Sequence, residues 1–103
     1  MEPSKYFSEY FDTMYSSLSS IDASKLAEAA EIIWQCSESG KKVMVVGNGG
    51  SAAMASHVAV DLTKAAGIRA VAFNDADLLT CFANDYGYEE WVVEALNAYE
   101  DAG

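Results

Sequence analysis

The chain has 103 residues and a mass of 11.1 kDa, room for one domain at most, and 51% of its residues are hydrophobic, enough to build a core. Sixteen acids against six bases give a net charge of −10, which argues against nucleic acid as a direct partner because a polyanion would be repelled. Its apolar runs fall far short of the roughly 20 residues that span a bilayer, and the acidic, aromatic start is unlike a signal peptide. A cytoplasmic protein without a membrane anchor is therefore expected.

Tyr6, Phe7, Tyr10, Phe11, Met14 and Leu18 recur at intervals of three and four between residues 4 and 19, which predicts an amphipathic helix with Pro3 and Ser4 at its start. This aromatic stripe reads as a packing face, against a core or a second subunit, rather than as a cofactor-stacking surface. Asp22 reads as the N-cap of a second helix with Leu26, Ala29, Ala30, Ile33 and Trp34 inward, ended by Gly40. Together these make a helical segment over residues 4–38.

Val43 to Val46 is predicted as a strand that runs into Gly47-Asn48-Gly49-Gly50-Ser51 and then into a helix. Three glycines allow positive φ and close approach, so backbone N–H groups can converge on one spot, and Ser51 adds a hydroxyl at the positive end of the helix. The stretch lacks both the G-x-G-x-x-G spacing of dinucleotide binders and the Gly-Lys-Ser/Thr ending of a P-loop. It is either a tight βα connection or a cradle for a small anion. Acids dominate residues 1–38 and 70–103, whereas Lys41, Lys42, Lys64 and Arg69 face only Asp61 between residues 39 and 69, a sign that agrees with an anionic ligand at the loop.

The third helix runs from Ser51 to Ala66, with Met54, Val58 and Leu62 expected on its buried side and Gly67 as its stop. Ile68 to Phe73 is the second strand, joined to the first as a right-handed parallel βαβ unit over residues 42–73. Asn74 to Asp77 and Asn84 to Gly87 read as turns, Leu78 to Phe82 as a short helix, and Glu89 to Tyr99 as a last helix, making a helical segment over residues 77–99. Cys36 and Cys81 lack CxxC spacing in apolar surroundings and are expected as buried, reduced thiols.

Two parallel strands are too few for a stable covered sheet. The remaining strands are expected from a longer parent, a second polypeptide or further copies of the chain. The third helix also carries the single histidine, His57, four residues before Asp61. That spacing puts both side chains on one face, where they could share a divalent metal or supply a general base, or simply face solvent with Asp61 paired to Lys64. A catalytic zinc site takes about three protein ligands, and no second histidine is present.

Gly47-Asn-Gly-Gly-Ser51, His57-Val-Ala-Val-Asp-Leu62, Ala72-Phe-Asn-Asp75 and Leu78-Leu-Thr-Cys-Phe-Ala-Asn-Asp-Tyr-Gly-Tyr88, in this order, resemble the phosphoheptose isomerases of the SIS (sugar isomerase) domain family over residues 4–99. The resemblance covers only the first half of such an enzyme. It implies an α/β fold, a three-layer αβα SIS domain with a flavodoxin-like parallel sheet, present here as its N-terminal half. It further implies a cytoplasmic zinc-dependent aldose–ketose isomerase, homotetrameric in the family, that converts sedoheptulose 7-phosphate to a manno-heptose 7-phosphate for surface polysaccharide precursors.

By position, Asn48, Gly49, Gly50 and Ser51 match the sugar-phosphate loop, and His57 matches a zinc ligand. Asp61 matches a residue that is both zinc ligand and catalytic base, and Asn84 and Asp85 match a substrate-contacting pair. The family usually carries Glu at the position of Asp61, and it keeps its other zinc ligands and a second phosphate loop in the half not represented here. The 103 residues alone are thus expected to be inactive without a complementing C-terminal half. The alternative implied by other SIS proteins is a noncatalytic module that binds sugar phosphates or a protein partner such as a replication initiator; a third reading, from the chain itself, is a truncated, inactive remnant that oligomerises through its aromatic first helix.

Overall fold

A computed structural model describes residues 2–102, in the order α1 (Pro3–Ser19), α2 (Ala23–Glu38), β1 (Val43–Val45), α3 (Gly50–Lys64), β2 (Ala70–Ala72), α4 (Ala76–Tyr86) and α5 (Trp91–Tyr99). The chain divides into two units, residues 1–31 and 32–103, with the boundary inside α2. In the first unit, Pro3 opens α1, where a missing N–H costs nothing. The aromatic stripe lies along one side of that helix, with Tyr6 stacked on Tyr10 and Phe7 on Phe11 at ring separations of 6.3 and 6.4 Å. None of α1 is buried. Asp22 caps α2 as expected: its Oδ1 accepts from the Ser24 N–H at 2.9 Å and the Ser24 hydroxyl at 2.7 Å, and the Ser24 hydroxyl bond first among these holds the Asp22 carboxyl below its usual pKa.

Gly40 ends α2 with φ +73°, its N–H bonded to the Ser37 carbonyl and the Lys41 N–H to that of Cys36. The inward face expected for α2 is not covered: Leu26 and Trp34 are exposed and Ile33 half-buried. The strands then pair in parallel, with Val43 opposite Ala70, Met44 opposite Val71 and Val45 opposite Ala72. Successive strand side chains point to opposite faces. The register partners Met44 and Val71 pack with α4 and α5 around buried Phe73, Trp91 and Ala95, so α3, which lies along both strands, takes the other face. The result is an α/β arrangement with helices on both sides of a two-stranded parallel sheet. Burying Phe73 and Trp91 contributes about 1.5–3 kcal/mol each.

Four details differ from the sequence expectation. The inward residues of α3 are Ala55 and Ala59, with Leu62 half-buried, whereas Met54 and Val58 are exposed: the small alanines let the helix axis approach the strands, and the larger side chains turn out. The stretch Asn74 to Asp77 is a helix cap rather than a free turn, since Asp75 Oδ1 accepts from the N–H groups of Asp77 and Leu78 at 2.9 and 3.2 Å. The α4 helix consequently starts at Ala76 and runs through Asn84 and Asp85 to Tyr86, where Gly87 at φ +95° stops it. Finally, both cysteines are free thiols, but Cys36 is only half-buried and Cys81 is exposed. All six strand residues are half-buried, as expected for a sheet with so few strands.

Candidate functional site

The glycine stretch leaves the C-terminal end of β1 and opens α3. Gly47 packs so closely beneath the first turn of α3 that a Cβ there would run into the Ser51 carbonyl. Gly49 is the N-cap, at φ +58° and ψ −123°, a conformation that only glycine adopts without strain. At Gly49 and Gly50 an added Cβ would meet nothing within 4 Å, so the space above their amides is open. The Ser51 N–H turns back to the Asn48 carbonyl at 3.0 Å and that of Ala52 to Gly49 at 3.0 Å, while the N–H groups of Gly49 and Gly50 donate to no described residue. Two amides without a partner among the described residues, at the positive end of a 15-residue helix, have the geometry and charge that suit a small anion. Ser51, second in the helix and exposed, stands beside them.

Three long-range hydrogen bonds hold this loop and the start of α3. Asn74, just past β2, donates its Nδ2 to the Ala52 carbonyl at 2.7 Å and to Ser56 Oγ at 2.5 Å, which ties the start of α3 to the end of the sheet. Tyr88 donates its hydroxyl to Asn48 Oδ1 at 2.9 Å. Both residues lie in the stretches that carry the family resemblance, yet sequence spacing assigned neither a role. Their partners are 22, 18 and 40 positions away, and nothing local announces such contacts. Beside the Tyr88 tie lies a cavity of about 480 Å³, lined by Val46, Asn48, Glu89, Trp91 and Val92.

Further along α3, His57 Nε2 lies 3.5 Å from Asp61 Oδ2, both side chains well exposed. Asp61 therefore pairs with His57 rather than with Lys64. Helical rise places His57 about 10 Å and Asp61 about 16 Å along the axis from Gly50. A tetrahedral zinc with bonds of about 2.1 Å separates neighbouring ligand atoms by about 3.4 Å, so the pair can occupy two vertices of such a site. Among the described residues no group of three or more His, Cys, Asp or Glu side chains converges to complete one.

Asn84 and Asp85 sit in the last turn of α4, where Asn84 Nδ2 donates to Asp85 Oδ1 at 3.1 Å and Cys81 Sγ lies 3.7 Å from Asp85 Oδ2. The negative charge of Asp85 raises the Cys81 pKa above its ordinary value. No hydrogen bond between described residues joins Asn84 or Asp85 to the glycine loop; the connection is made by Tyr88 after them.

The basic residues do not surround the loop. Lys41, Lys42 and Arg69 precede the two strands and Lys64 closes α3, so all four lie at the end of the βαβ unit away from the glycines. Lys42 binds Asp101 at 2.6 Å, Arg69 lies 3.9 Å from the same carboxylate and 3.1 Å from the Gly40 carbonyl, and Lys41 donates to the Ala102 carbonyl. An anion at the loop would therefore meet only the amides and the helix dipole, without a flanking side-chain cation from this cluster.

Residues 7–101 match the SIS domain family. The chain is 38% identical over 86 residues to a phosphoheptose isomerase of Thermodesulfovibrio yellowstonii, covering 78% of this chain and 43% of that protein. It is 36% identical over 106 residues to the phosphoheptose isomerase of Helicobacter pylori strain P12, covering 94% and 55%. The solved structure of phosphoheptose isomerase GmhA from Neisseria gonorrhoeae superposes with a TM-score of 0.82 at 31% identity, over 96% of this chain and 53% of that one. The chain spans about half the length of these relatives. It belongs to the SIS domain family, and the three relatives just named are phosphoheptose isomerases.

Proposed function

We propose that this chain carries the first half of a phosphoheptose-isomerase site, acting on sedoheptulose 7-phosphate, and that the rest of the sheet and site comes from a complementing half or from further copies. The observation that carries the reading is the open pair of amides at Gly49 and Gly50 on the same helix as the His57–Asp61 pair. The phosphate sits at the helix start, and the reacting carbons extend toward the pair. There the Asp61 carboxylate takes a proton from C1 of the ketose as the C2 oxygen gains one, which gives an enediol. Return of the proton to C2 and loss of one from the C1 oxygen gives the aldose, with no net oxidation.

Zinc fits as far as its first two ligands go: His57 and Asp61 would hold it, with the remaining donors from outside the described residues. When bound, the metal would polarise the substrate oxygens. Assembly into an oligomer is supported by the exposed aromatic face of α1. No helix among the described residues is long and apolar enough to cross a membrane, which agrees with a cytoplasmic enzyme.

Calorimetric titration with sedoheptulose 7-phosphate and with unphosphorylated sedoheptulose tests the reading. The phosphate ester is expected to bind and the free sugar not, and isomerisation by the 103 residues alone is expected to be negligible. Equal binding of the two sugars, or none of either, contradicts it. A noncatalytic SIS module that binds a sugar phosphate or a protein is the second reading, favoured by Asp61 standing where the family usually has Glu. Zinc bound in the complete assembly distinguishes the two, because a binding module has no need of the metal.

A further inference from the structure

Asn48 lies in the loop between β1 and α3, and its carboxamide can present either an acceptor or a donor to a ligand. Which end faces the ligand decides whether the residue attracts or repels an anion. Tyr88 reaches this amide because Gly87, at φ +95°, breaks α4 and turns the chain toward the loop, while the Glu90 N–H closes the turn on the Gly87 carbonyl at 3.1 Å. A tyrosine hydroxyl has one hydrogen to give, and here it goes to Asn48 Oδ1 at 2.9 Å. With Oδ1 occupied by Tyr88, the Nδ2 group is left to donate elsewhere. No described residue accepts from it.

We infer that Tyr88 is a positioning residue of the anion site: by occupying Asn48 Oδ1 it fixes the amide with its Nδ2 hydrogens outward, as donors that join the Gly49 and Gly50 N–H groups on a phosphate. This inference rests on the proposed phosphate site. The cavity beside the tie is lined by Gly47 and Asn48 of the loop together with Tyr88, so the tie stands at the edge of a space open to a ligand. Tyr88 itself is 55% exposed, and removing its hydroxyl leaves no cavity and no buried unpaired group, so Tyr88→Phe is expected to fold as the native chain does.

The experiment follows the side-chain NH₂ signals of Asn48 and the backbone signals of Gly49 and Gly50 by ¹H–¹⁵N NMR, in the native chain and in Tyr88→Phe, during titration with sedoheptulose 7-phosphate and separately with inorganic phosphate. In the native chain all three sets of signals are expected to move together. In Tyr88→Phe the Asn48 side-chain response to ligand is expected to collapse while Gly49 and Gly50 still respond, with affinity weaker by about three- to tenfold, the value of one hydrogen bond. Unchanged affinity and an unchanged Asn48 response in Tyr88→Phe overturn the inference and leave the phosphate site standing. A native chain in which Gly49 and Gly50 do not respond overturns both.

Discussion

His57 Nε2 stands 3.5 Å from Asp61 Oδ2 on an exposed face of α3, a separation that serves an ion pair with a protonated imidazole and two adjacent zinc ligands equally well. With only two ligands, zinc should bind this chain weakly. Titration with zinc, read on the His57 ring signals, is expected to show binding that His57→Ala abolishes and Asp61→Asn weakens at least tenfold. Zinc binding that survives His57→Ala would move the metal elsewhere.

Gly47 is the most constrained position of the loop. A Cβ would collide with backbone of the first turn of α3, and backbone cannot swing aside as a flexible side chain can. Gly47→Ala is expected to cost about 3 kcal/mol, at the upper end of overpacking effects, seen as a lowered midpoint in denaturant. Gly50→Ala, which meets open space at an ordinary φ, is expected to change stability little while narrowing the approach to the amides.

Asp75 starts α4 by accepting from two orphan N–H groups. Asp75→Ala is expected to lower stability by about 1 kcal/mol, Asp75→Asn or Asp75→Ser by less, as measured by thermal unfolding. If alanine and asparagine behave alike, the cap is not what holds this helix start.

Asp101 gives a pH signature. The Lys42 hydrogen bond, then the charges of Lys42, Arg69 and Lys41, hold its carboxyl below the usual value of 3.8. A depressed folded pKa contributes stability that is present above the unfolded value and lost as pH falls through the folded one. The contact between residue 101 and the start of β1 should therefore be intact above about pH 4 and released in the acid range beneath it. Carboxyl chemical shifts of Asp101 should titrate lower in the native chain than in Lys42→Met; coincident midpoints would show that the pairing has no such effect.

Much of this fold was legible in the sequence because it is written in local signals. The caps at Asp22 and Gly40, the glycine stop at Gly67 and the βαβ pattern depend on neighbours within a few residues. The same locality explains the misses. The Asn and Asp of residues 74–77 and 84–87 favour turns and caps alike, and only the Asp75 bonds decide that one stretch is a cap and the other the end of a helix. Periodicity placed the buried face of α3 on its largest apolar residues, but close contact with the two strands favours Ala55 and Ala59.

At the site, the open loop and the i, i+4 pair followed from spacing, whereas the contributions of Asn74 and Tyr88 arise from chain reversals that no local pattern encodes. The basic cluster misled because proximity in sequence to the glycines hid the length of β1 between them.

The most direct test of the central claim is backbone amide mapping of the native chain during addition of sedoheptulose 7-phosphate. The signals of Gly49, Gly50 and Ser51 are expected to shift together and to saturate, with unphosphorylated sedoheptulose leaving them in place. Shifts centred instead on Lys41, Lys42 and Arg69 at the opposite end of the strands would contradict the claim that the glycine amides hold the phosphate.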